Sequence, residues 1–422
     1  MKIQSFFKKS LILLVIIGNN ILGFAQVDST SLIEISGKII DSKTNDALVF
    51  ADLVVSDSNI ATISNTEGDY LLKIPADFKN GFITITYLGY AEKKIQISDV
   101  IANSTIMLDQ FATSLEEVNI TRPKSAEILV RMMLKRNDDN YMGSNMQMTG
   151  FYRETIKKRR QNASLAEAVV SIYKQPNSNT KRDEIDIVKV RKNTNYAKLD
   201  TIALKLQGGP FSNLYADIMK YPQYIFSEDN LDNYVYSFDK STVINDQLVY
   251  VVNFKQYPEL QMPLYFGKLY IDAKTYALTS AVYSLNVENR ELASELFVKR
   301  KPRRAKVYPV EANYRVNYRN SNGKWLYSYS NILLTFKVNW QGKLFNSVYT
   351  LNSEMAITNW NATDERYSRP DNKLRVLKPT SILLDEASGF SDSEFWGEYN
   401  IIEPEKSIES AIQKIQKQLD KS

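Results

Sequence analysis

Apolar and polar residues alternate along the first part of the chain. Between residues 33 and 108 the apolar positions recur at mostly even spacing, as in short strands that bury one face. Polar or glycine-bearing turns separate these runs at 41–46, 65–69 and 79–81. Roughly seven strands in this stretch predict a two-sheet β-sandwich. The alternating residues are Ile35, Ile39, Val49, Leu53, Val55, Tyr70, Leu72, Ile74, Ile83, Ile85 and Tyr87.

The pattern then turns helical for a short stretch. Ser125 is placed to cap a helix that runs from 126 to about 137, with Ile128, Leu129, Met132 and Met133 on one face. Before this helix, residues 111–123 are predicted to form a connector with one strand at 115–121.

Alternation returns at Met146 and continues for about two hundred residues. The runs are long, rich in tyrosine and joined by short links, which predicts a broad, mostly antiparallel sheet. From 359 to 389 the chain is polar and marked by proline, which predicts an extended strap. The expected strands are 148–154, 165–173, 184–190, 234–238, 248–254, 265–272, 277–285, 308–318, 325–338 and 344–357.

Four blocks in the N-terminal region carry a family resemblance. They are GKIID at 37–41, ALVFADL at 47–53, SNTEGDYLL at 64–72 and YLGY at 87–90. In this order they resemble the carboxypeptidase-regulatory-like (transthyretin-like) domain that is common at the N-termini of exported Bacteroidetes proteins. The family pattern has proline in the second block, where this chain has Leu48-Val49. Since that domain is an accessory module of receptors, transporters and enzymes alike, the resemblance implies a fold and leaves function open.

Later runs carry a second resemblance. GFYRE at 150–154, EAVVSIY at 167–173 and FWGEYNII at 395–402 together resemble a Bacteroidetes family of unknown function. Its members join the regulatory-like sandwich to a second β domain. The segment 267–272 also resembles strands of periplasmic lipoprotein carriers.

The first 25 residues have the pattern of a secretory signal peptide. Lys2, Lys8 and Lys9 precede an apolar run at 11–17, and Gly23 and Ala25 precede the expected cleavage site. The alternative is an uncleaved anchor, although the apolar run is short for a hydrocarbon core of about 30 Å. We therefore expect an exported protein, in the periplasm or associated with the outer membrane, with no transmembrane helix in the mature chain.

These patterns define the expected organisation. The fold class is mostly β, a seven-stranded N-terminal sandwich followed by a larger antiparallel β domain with a few helices. The predicted segments are a signal peptide at 1–25, the regulatory-like sandwich at 26–110, a linker and helix at 111–140, the antiparallel β-rich domain at 141–358, and an extended strap with a C-terminal amphipathic helix at 359–422.

The sequence contains no cysteine and no histidine. An exported chain without cysteine has neither a disulfide framework nor a cysteine for lipid attachment, so packing must stabilise it. Without an imidazole, the usual serine, cysteine and zinc hydrolase sites are excluded. We therefore expect no enzymatic activity, no catalytic residue, no metal and no cofactor. Carboxylate-pair chemistry is the main catalytic class that survives.

Charge is balanced, with 53 basic and 48 acidic residues, and three of the lysines leave with the signal peptide. This balance and the expected export argue against nucleic acid as a partner. Two basic clusters stand out, at 157–160 and 299–304. An anion patch for lipid headgroups is the specific interpretation, and solvated strand ends are the ordinary one, which we favour. The anion-patch candidates are Lys299, Arg300, Lys301, Arg303 and Arg304.

Other candidate sites are weaker. Glu154 and Glu167 lie on neighbouring predicted strands, where they could form a hydrolytic carboxylate pair or pair with a cation such as Arg153 or Lys157. The acid-rich turns at 41–46, 228–232 and 385–394 could bind Ca²⁺, but none has EF-hand spacing, and acidic residues are common in ordinary turns. The 26 tyrosines fit sheet packing better than a carbohydrate platform.

The segment 407–419 predicts an amphipathic helix. An isolated helix of about 14 residues is marginal in water, so its apolar stripe must be buried. It could pack on the second β domain or dock on another protein. The docking candidates are Ile408, Ile412, Ile415 and Leu419.

The sequence is most consistent with a non-enzymatic envelope scaffold or accessory subunit of an outer-membrane transport, assembly or secretion complex. The expected partner is therefore an outer-membrane protein or complex, with peripheral membrane contact left open. One alternative is a periplasmic lipid or lipoprotein carrier, which a closed apolar cavity on the second sheet would favour. The other is a carboxylate-pair glycan hydrolase, which two converging carboxylates in a polar cleft would favour. An exposed apolar patch without either feature would favour the scaffold.

Overall fold

A computed structural model describes residues 31–100, 103–111, 123–159, 161–194, 208–244, 246–298, 303–342, 346–368, 376–387 and 395–406. The strands are β1 Leu32–Asp41, β2 Asp52–Val55, β3 Ala61–Ile63, β4 Asp69–Pro75, β5 Phe82–Thr86, β6 Lys93–Gln96, β7 Ser104–Leu108, β8 Asn145–Lys158, β9 Gln161–Lys174, β10 Glu184–Thr194, β11 Tyr234–Phe238, β12 Thr242–Ile244, β13 Gln247–Gln256, β14 Tyr265–Asp272, β15 Leu278–Leu285, β16 Ala305–Ser321, β17 Lys324–Trp340 and β18 Ser347–Thr363. The helices are α1 Ala126–Lys135, α2 Asn137–Asn140, α3 Pro210–Leu214, α4 Glu228–Leu231, α5 Arg290–Phe297 and α6 Leu383–Glu386.

The N-terminal strands form two facing sheets. One has the order β4-β1-β7 and the other β3-β2-β5-β6. Strands β1 and β7 are parallel, and the other pairs are antiparallel. The alternating apolar residues meet between the sheets, where Ile39, Leu53, Leu72, Ile83 and Ile85 are fully buried. The predicted seven-stranded sandwich is confirmed.

The remaining strands form one sheet of eleven described strands, in the order β10-β9-β8-β18-β17-β16-β15-β14-β13-β11, with β12 added on β13. Its pairs are antiparallel, which confirms the predicted fold class. Since side chains alternate along a strand, the sheet has two distinct faces. On β16, Val316 points to one face with the main apolar core, while Arg315 and Asn317 point to the other.

The inner face, defined by that apolar core, is covered by helices. Ser125 caps α1 by accepting a hydrogen bond from the amide of Ile128 at 3.1 Å. The helix then buries Leu129, Val130 and Met133 against the sheet. Helix α3 packs on β17 and β18, with Phe211 and Leu214 fully buried. The helix predicted at residue 126 is thus confirmed, and it ends at Lys135.

The outer face carries the sandwich and residues 395–406, which follow the polar segment predicted at 359–389 and are called the strap from here on. Trp396, Ile401 and Ile402 of the strap pack on Phe151 and Val169 of the large sheet. The strap also bonds to the sandwich, since Thr62 donates to the carbonyl of Ile401 at 3.0 Å and Asn65 to that of Glu403 at 3.1 Å. The strap therefore contacts both the sandwich and the large sheet and links them.

Two predicted features differ from the structure. The polar segment expected to leave the sheet at 359 is still strand there, because β18 continues to Thr363 and pairs with β8 as far as Asn145. Helix α5 was not predicted. The signal peptide, the connector strand at 115–121 and the C-terminal helix lie outside the described residues. In the described part of the chain, no helix is both long and apolar enough to cross a bilayer.

Candidate functional site

The two candidate glutamates lie on opposite faces of the sheet. Across β8 and β9 the register pairs Arg153 with Glu167, and Glu154 with Ala166. Glu154 therefore points to the inner face and Glu167 to the outer face. The hypothesis that these two carboxylates face each other is wrong. The alternative, that a glutamate pairs with Arg153, matches the structure.

Glu167 is the centre of a buried ion cluster on the outer face. Its Oε1 lies 2.7 Å from Nε of Arg153, and its Oε2 lies 2.7 Å from Nη2 of Arg191. Arg153 also pairs with Glu354 at 3.3 Å and donates to the carbonyl of Ile402 in the strap at 2.8 Å. Burial alone would raise the pKa of Glu167, but the two guanidinium groups outweigh it and lower the pKa. This cluster positions the strap.

Glu154 occupies an apolar environment on the inner face. Tyr152 donates its hydroxyl to Oε2 at 2.7 Å, while Oε1 has no hydrogen-bond partner among the described residues. Burial raises the pKa of Glu154 to about 7, partly opposed by the Tyr152 hydroxyl. Asp385, at the end of the chain segment that covers this face, raises it further. No second carboxylate is hydrogen-bonded to Glu154 in the described structure.

The basic clusters and acidic turns remain as predictions or have structural roles. Arg303 and Arg304 are exposed in the turn before β16, whereas Lys299, Arg300 and Lys301 lie outside the described residues. The turn at 41–46 is built by Asp41, whose carboxylate accepts hydrogen bonds from two backbone amides and from Tyr90 and Gln110. Within the described ranges, no group of three acidic side chains is placed to hold a metal ion.

A cleft of about 700 Å³ separates the sandwich from the outer face of the large sheet. Two sets of contacts border it. On one side Arg319 forms an ion pair with Asp52, in which Nε lies 2.8 Å from Oδ2. On the other side the amide of Gly89 donates to the carbonyl of Val243 at 2.8 Å, and that of Glu92 to Oδ1 of Asp246 at 3.2 Å. The cleft thus lies between two sets of contacts that join the sandwich to the large sheet.

The cleft walls combine aromatic rings with hydroxyl, amide and guanidinium groups. The sandwich side comes mainly from β2, β5 and the turn after β5, and the sheet side from β14 to β17. Asp52, one of its carboxylates, is engaged by Arg319, and Glu92 lies where the turn after β5 meets the sheet. The residues used in the arguments below are Phe50, Thr86, Tyr87, Tyr270, Arg315 and Asn317.

A second surface feature is an apolar groove of about 560 Å³ beside the β13–β14 connection. Met262 and Phe266 line it and are 50% and 45% exposed, and Tyr257 of the same connection is 44% exposed. Large apolar side chains this exposed cost free energy in water unless something covers them. We name this surface the apolar groove.

Sequence reasoning missed both features. The alternation on β16, in which Glu311, Asn313, Arg315, Asn317 and Arg319 share one face, was present as a signal for a polar outer face. The sequence does not show that the sandwich lies opposite that face, because this contact joins residues more than two hundred positions apart. The apolar groove lies in a Pro-rich connection, where no periodicity marks it.

Comparison with solved structures gives remote likenesses. A LolA superfamily protein from Nitrosomonas europaea is 10% identical, with a TM-score of 0.23, and the match covers 58% of this chain and 96% of that one. A DUF1329 family protein from Desulfovibrio piger is 9% identical over the same shares, with a TM-score of 0.26. At such TM-scores neither likeness assigns a fold or a function to this chain. No curated protein matches the sequence.

The family comparison is more specific. The model of the CarboxypepD_reg-like domain matches residues 35–120. The match contains all four sequence blocks that carried the first resemblance, and it begins within β1 of the seven-stranded sandwich. The N-terminal region of the chain is therefore a CarboxypepD_reg-like domain, joined here to a larger antiparallel β domain.

Proposed function

We propose that the protein is a non-enzymatic scaffold or accessory subunit of a bacterial envelope complex, and that the apolar groove is where it contacts a protein partner. The observation that carries this proposal is the exposure of Met262 and Phe266 around a preformed groove. Interfaces are enriched in aromatic residues and methionine at their centres. Glu288 and Glu311 line the same groove and supply the polar rim that such interfaces have.

The geometry supports the alternatives less. Hydrolysis by a carboxylate pair needs two carboxyl groups that converge, but Glu154 and Glu167 point to opposite faces, and Asp52 of the cleft is held by Arg319. A carrier needs an apolar cavity on the large sheet. In the described residues the inner face is occupied by α1 and α3, so an acyl chain would have to displace them.

An envelope location belongs to the proposal as well. The lysine-rich start, the short apolar run and the small residues before position 26 are the features that support export.

The test is to place charge in the apolar groove. The double variant Met262→Asp with Phe266→Asp should have a melting temperature within a few degrees of the wild type, because both side chains are about half exposed. It should no longer co-purify with the partner from native outer membranes. Partners would be identified by mass spectrometry after cross-linking in intact cells. Lipid extracted from the purified protein would be analysed in parallel.

Met107→Asp with Phe82→Asp is the matched control. These residues are 46% and 40% exposed, are of the same types, and lie on the sandwich. The control should retain every partner. The proposal fails if the groove variant keeps its partners. It also fails if stoichiometric lipid is recovered from the wild-type protein, which would favour the carrier.

A further inference from the structure

One cation of the interdomain cleft, Arg315, has no carboxylate partner in the described part of the chain. Arg315 is half-buried on the outer face of β16, and among the described residues its guanidinium makes no ion pair. Its near neighbour on the same strand face, Arg319, is held by Asp52. Arg153 and Arg191, the buried arginines of the ion cluster, both pair with Glu167. Arg153, Arg191 and Arg319 thus each pair with a carboxylate, whereas Arg315, which also faces the cleft, pairs with none among the described residues.

Aromatic groups orient this guanidinium. The centre of the Phe50 ring lies 5.9 Å from it, in the range of a cation–π contact. The same ring packs against that of Tyr329 in a tilted arrangement, with ring centroids 4.7 Å apart. Phe50 adopts a backbone φ of 65°, a left-handed conformation that is rare and costly for a bulky residue. The sandwich therefore holds one aromatic ring against the cleft in a conformation that ordinary packing would avoid.

Neutral hydrogen-bond donors lie beside Arg315. Asn317, two residues along the same strand, accepts the Ser280 hydroxyl through Oδ1 at 2.8 Å, which leaves its NH₂ group to donate. Burial raises the pKa of Tyr87, partly opposed by Arg315, so the phenol keeps its proton at neutral pH. A guanidinium, an amide NH₂ and a phenol hydroxyl are all donors, and together they suit an acceptor-only group.

We propose that the interdomain cleft binds an organic anion, with its carboxylate or phosphate group on Arg315 and Asn317 and its body between the rings of Phe50, Tyr87 and Tyr270. Arginine fits both oxyanions, because two of its five N–H groups can meet two oxygens in parallel. The cleft volume of about 700 Å³ lies within the range of small-molecule sites. This site is separate from the apolar groove and does not depend on it.

The competing interpretation is that Arg315 only stacks on Phe50 and is otherwise solvated. The two interpretations differ in whether negative charge on a ligand is required. Benzoate and benzamide have the same shape and differ in that charge, and phenyl phosphate presents the other oxyanion on the same ring. These three compounds are therefore the probes, titrated into the full mature chain by isothermal calorimetry at low salt.

Benzoate or phenyl phosphate should bind saturably, and the tighter of the two shows whether the site prefers a carboxylate or a phosphate. Benzamide should bind at least ten-fold more weakly, since loss of a charge-assisted hydrogen bond costs roughly ten- to hundred-fold in affinity. Arg315→Met should weaken the anion by a similar factor. Arg290→Met, which removes another arginine stacked on an aromatic ring at 4.9 Å, should change nothing.

Thr86→Trp provides a second arm if Arg315→Met does not fold. Thr86 lies on the sandwich wall of the cleft, where an indole would fill the ligand volume and leave Arg315 intact. It too should abolish anion binding. The proposal is overturned if neither anion binds, if benzamide binds as tightly as benzoate, or if a folded Arg315→Met or Thr86→Trp variant binds like the wild type.

Discussion

Glu154 and Glu167 lie on adjacent strands of one sheet, but the pKa of Glu154 is raised whereas that of Glu167 is lowered. Both are fully buried, so desolvation favours the protonated form of each. Glu167 has two guanidinium groups within 2.7 Å, which keep it charged. Glu154 has only the Tyr152 hydroxyl, which is too little to offset burial. The face of the strand, rather than the residue type, sets the charge.

Glu154→Gln should therefore stabilise the protein at alkaline pH relative to the wild type. The pKa of Glu154 is raised from 4.5 to about 7, so its contribution is fully present below pH 4.5 and is lost as pH rises through 7. Each pKa unit corresponds to about 1.4 kcal/mol, so the loss reaches about 3 kcal/mol by pH 8. Urea unfolding would give the free energy of unfolding of both proteins at pH 5 and pH 8. The gain in stability of Glu154→Gln over the wild type should be larger at pH 8 than at pH 5.

Glu167→Gln is the control, because Glu167 is as buried as Glu154 but is paired with two arginines. Its removal leaves Arg153 and Arg191 without their shared carboxylate, and breaking a buried pair in this way costs roughly 3 to 5 kcal/mol. The variant should be less stable than the wild type at both pH values. A Glu154→Gln difference that is the same at pH 5 and pH 8 would mean that Glu154 ionises normally.

At the scale of elements, alternation in the sequence predicted strands well where each strand buries one face. The strands at 234–238 and 265–272 have the predicted bounds, and 308–318 and 325–338 were located but too short. Helix α5 was missed although its apolar residues at 292, 293, 296 and 297 share one face, because at eight residues it is only about two turns long. Only Ala293 is buried in it, while Leu292 and Leu296 are exposed. Short helices such as α3 are too brief for a period to be visible.

Close strand contact at Gly267 gives an element-scale prediction. A Cβ atom there would lie 2.3 Å from the carbonyl oxygen of Val282 and 2.6 Å from Cα of Tyr283, so β14 and β15 would have to separate. Gly267→Ala should cost about 1 to 3 kcal/mol, as overpacking does. Gly143→Ala, where nothing lies within 4 Å of the added atom, should be neutral or slightly stabilising. Thermal unfolding of the two variants would measure this, and equal melting temperatures would refute it.

At the scale of the whole molecule, the two β units meet in a shared contact layer, and Ala61 of the sandwich belongs to the main apolar cluster of the large sheet. Arg319 of the large sheet is 4% exposed and holds Asp52 of the sandwich through two nitrogens. Phe50 and Ile63 of the sandwich pack in one apolar cluster with Tyr329 and Trp396. The sequence predicted a sandwich and a larger antiparallel sheet, but not this layer, since the residues of the layer come from segments that no local pattern connects.

The connector predicted at 111–123 should act as a hinge between separately folded units, and this can be tested together with the contact layer. Limited proteolysis should cleave there and give two protected fragments, as expected for a linker with few apolar residues. The fragments should nevertheless elute as one species in native buffer, because Arg319 and the strap still join them. Asp52→Ala with Arg319→Ala, which removes both charges and so leaves neither one buried alone, should lower the urea concentration at which they separate. If the wild-type fragments separate without denaturant, the contact layer is too weak to hold the units together. If no cleavage occurs between Leu108 and Ala126, that segment is not a hinge.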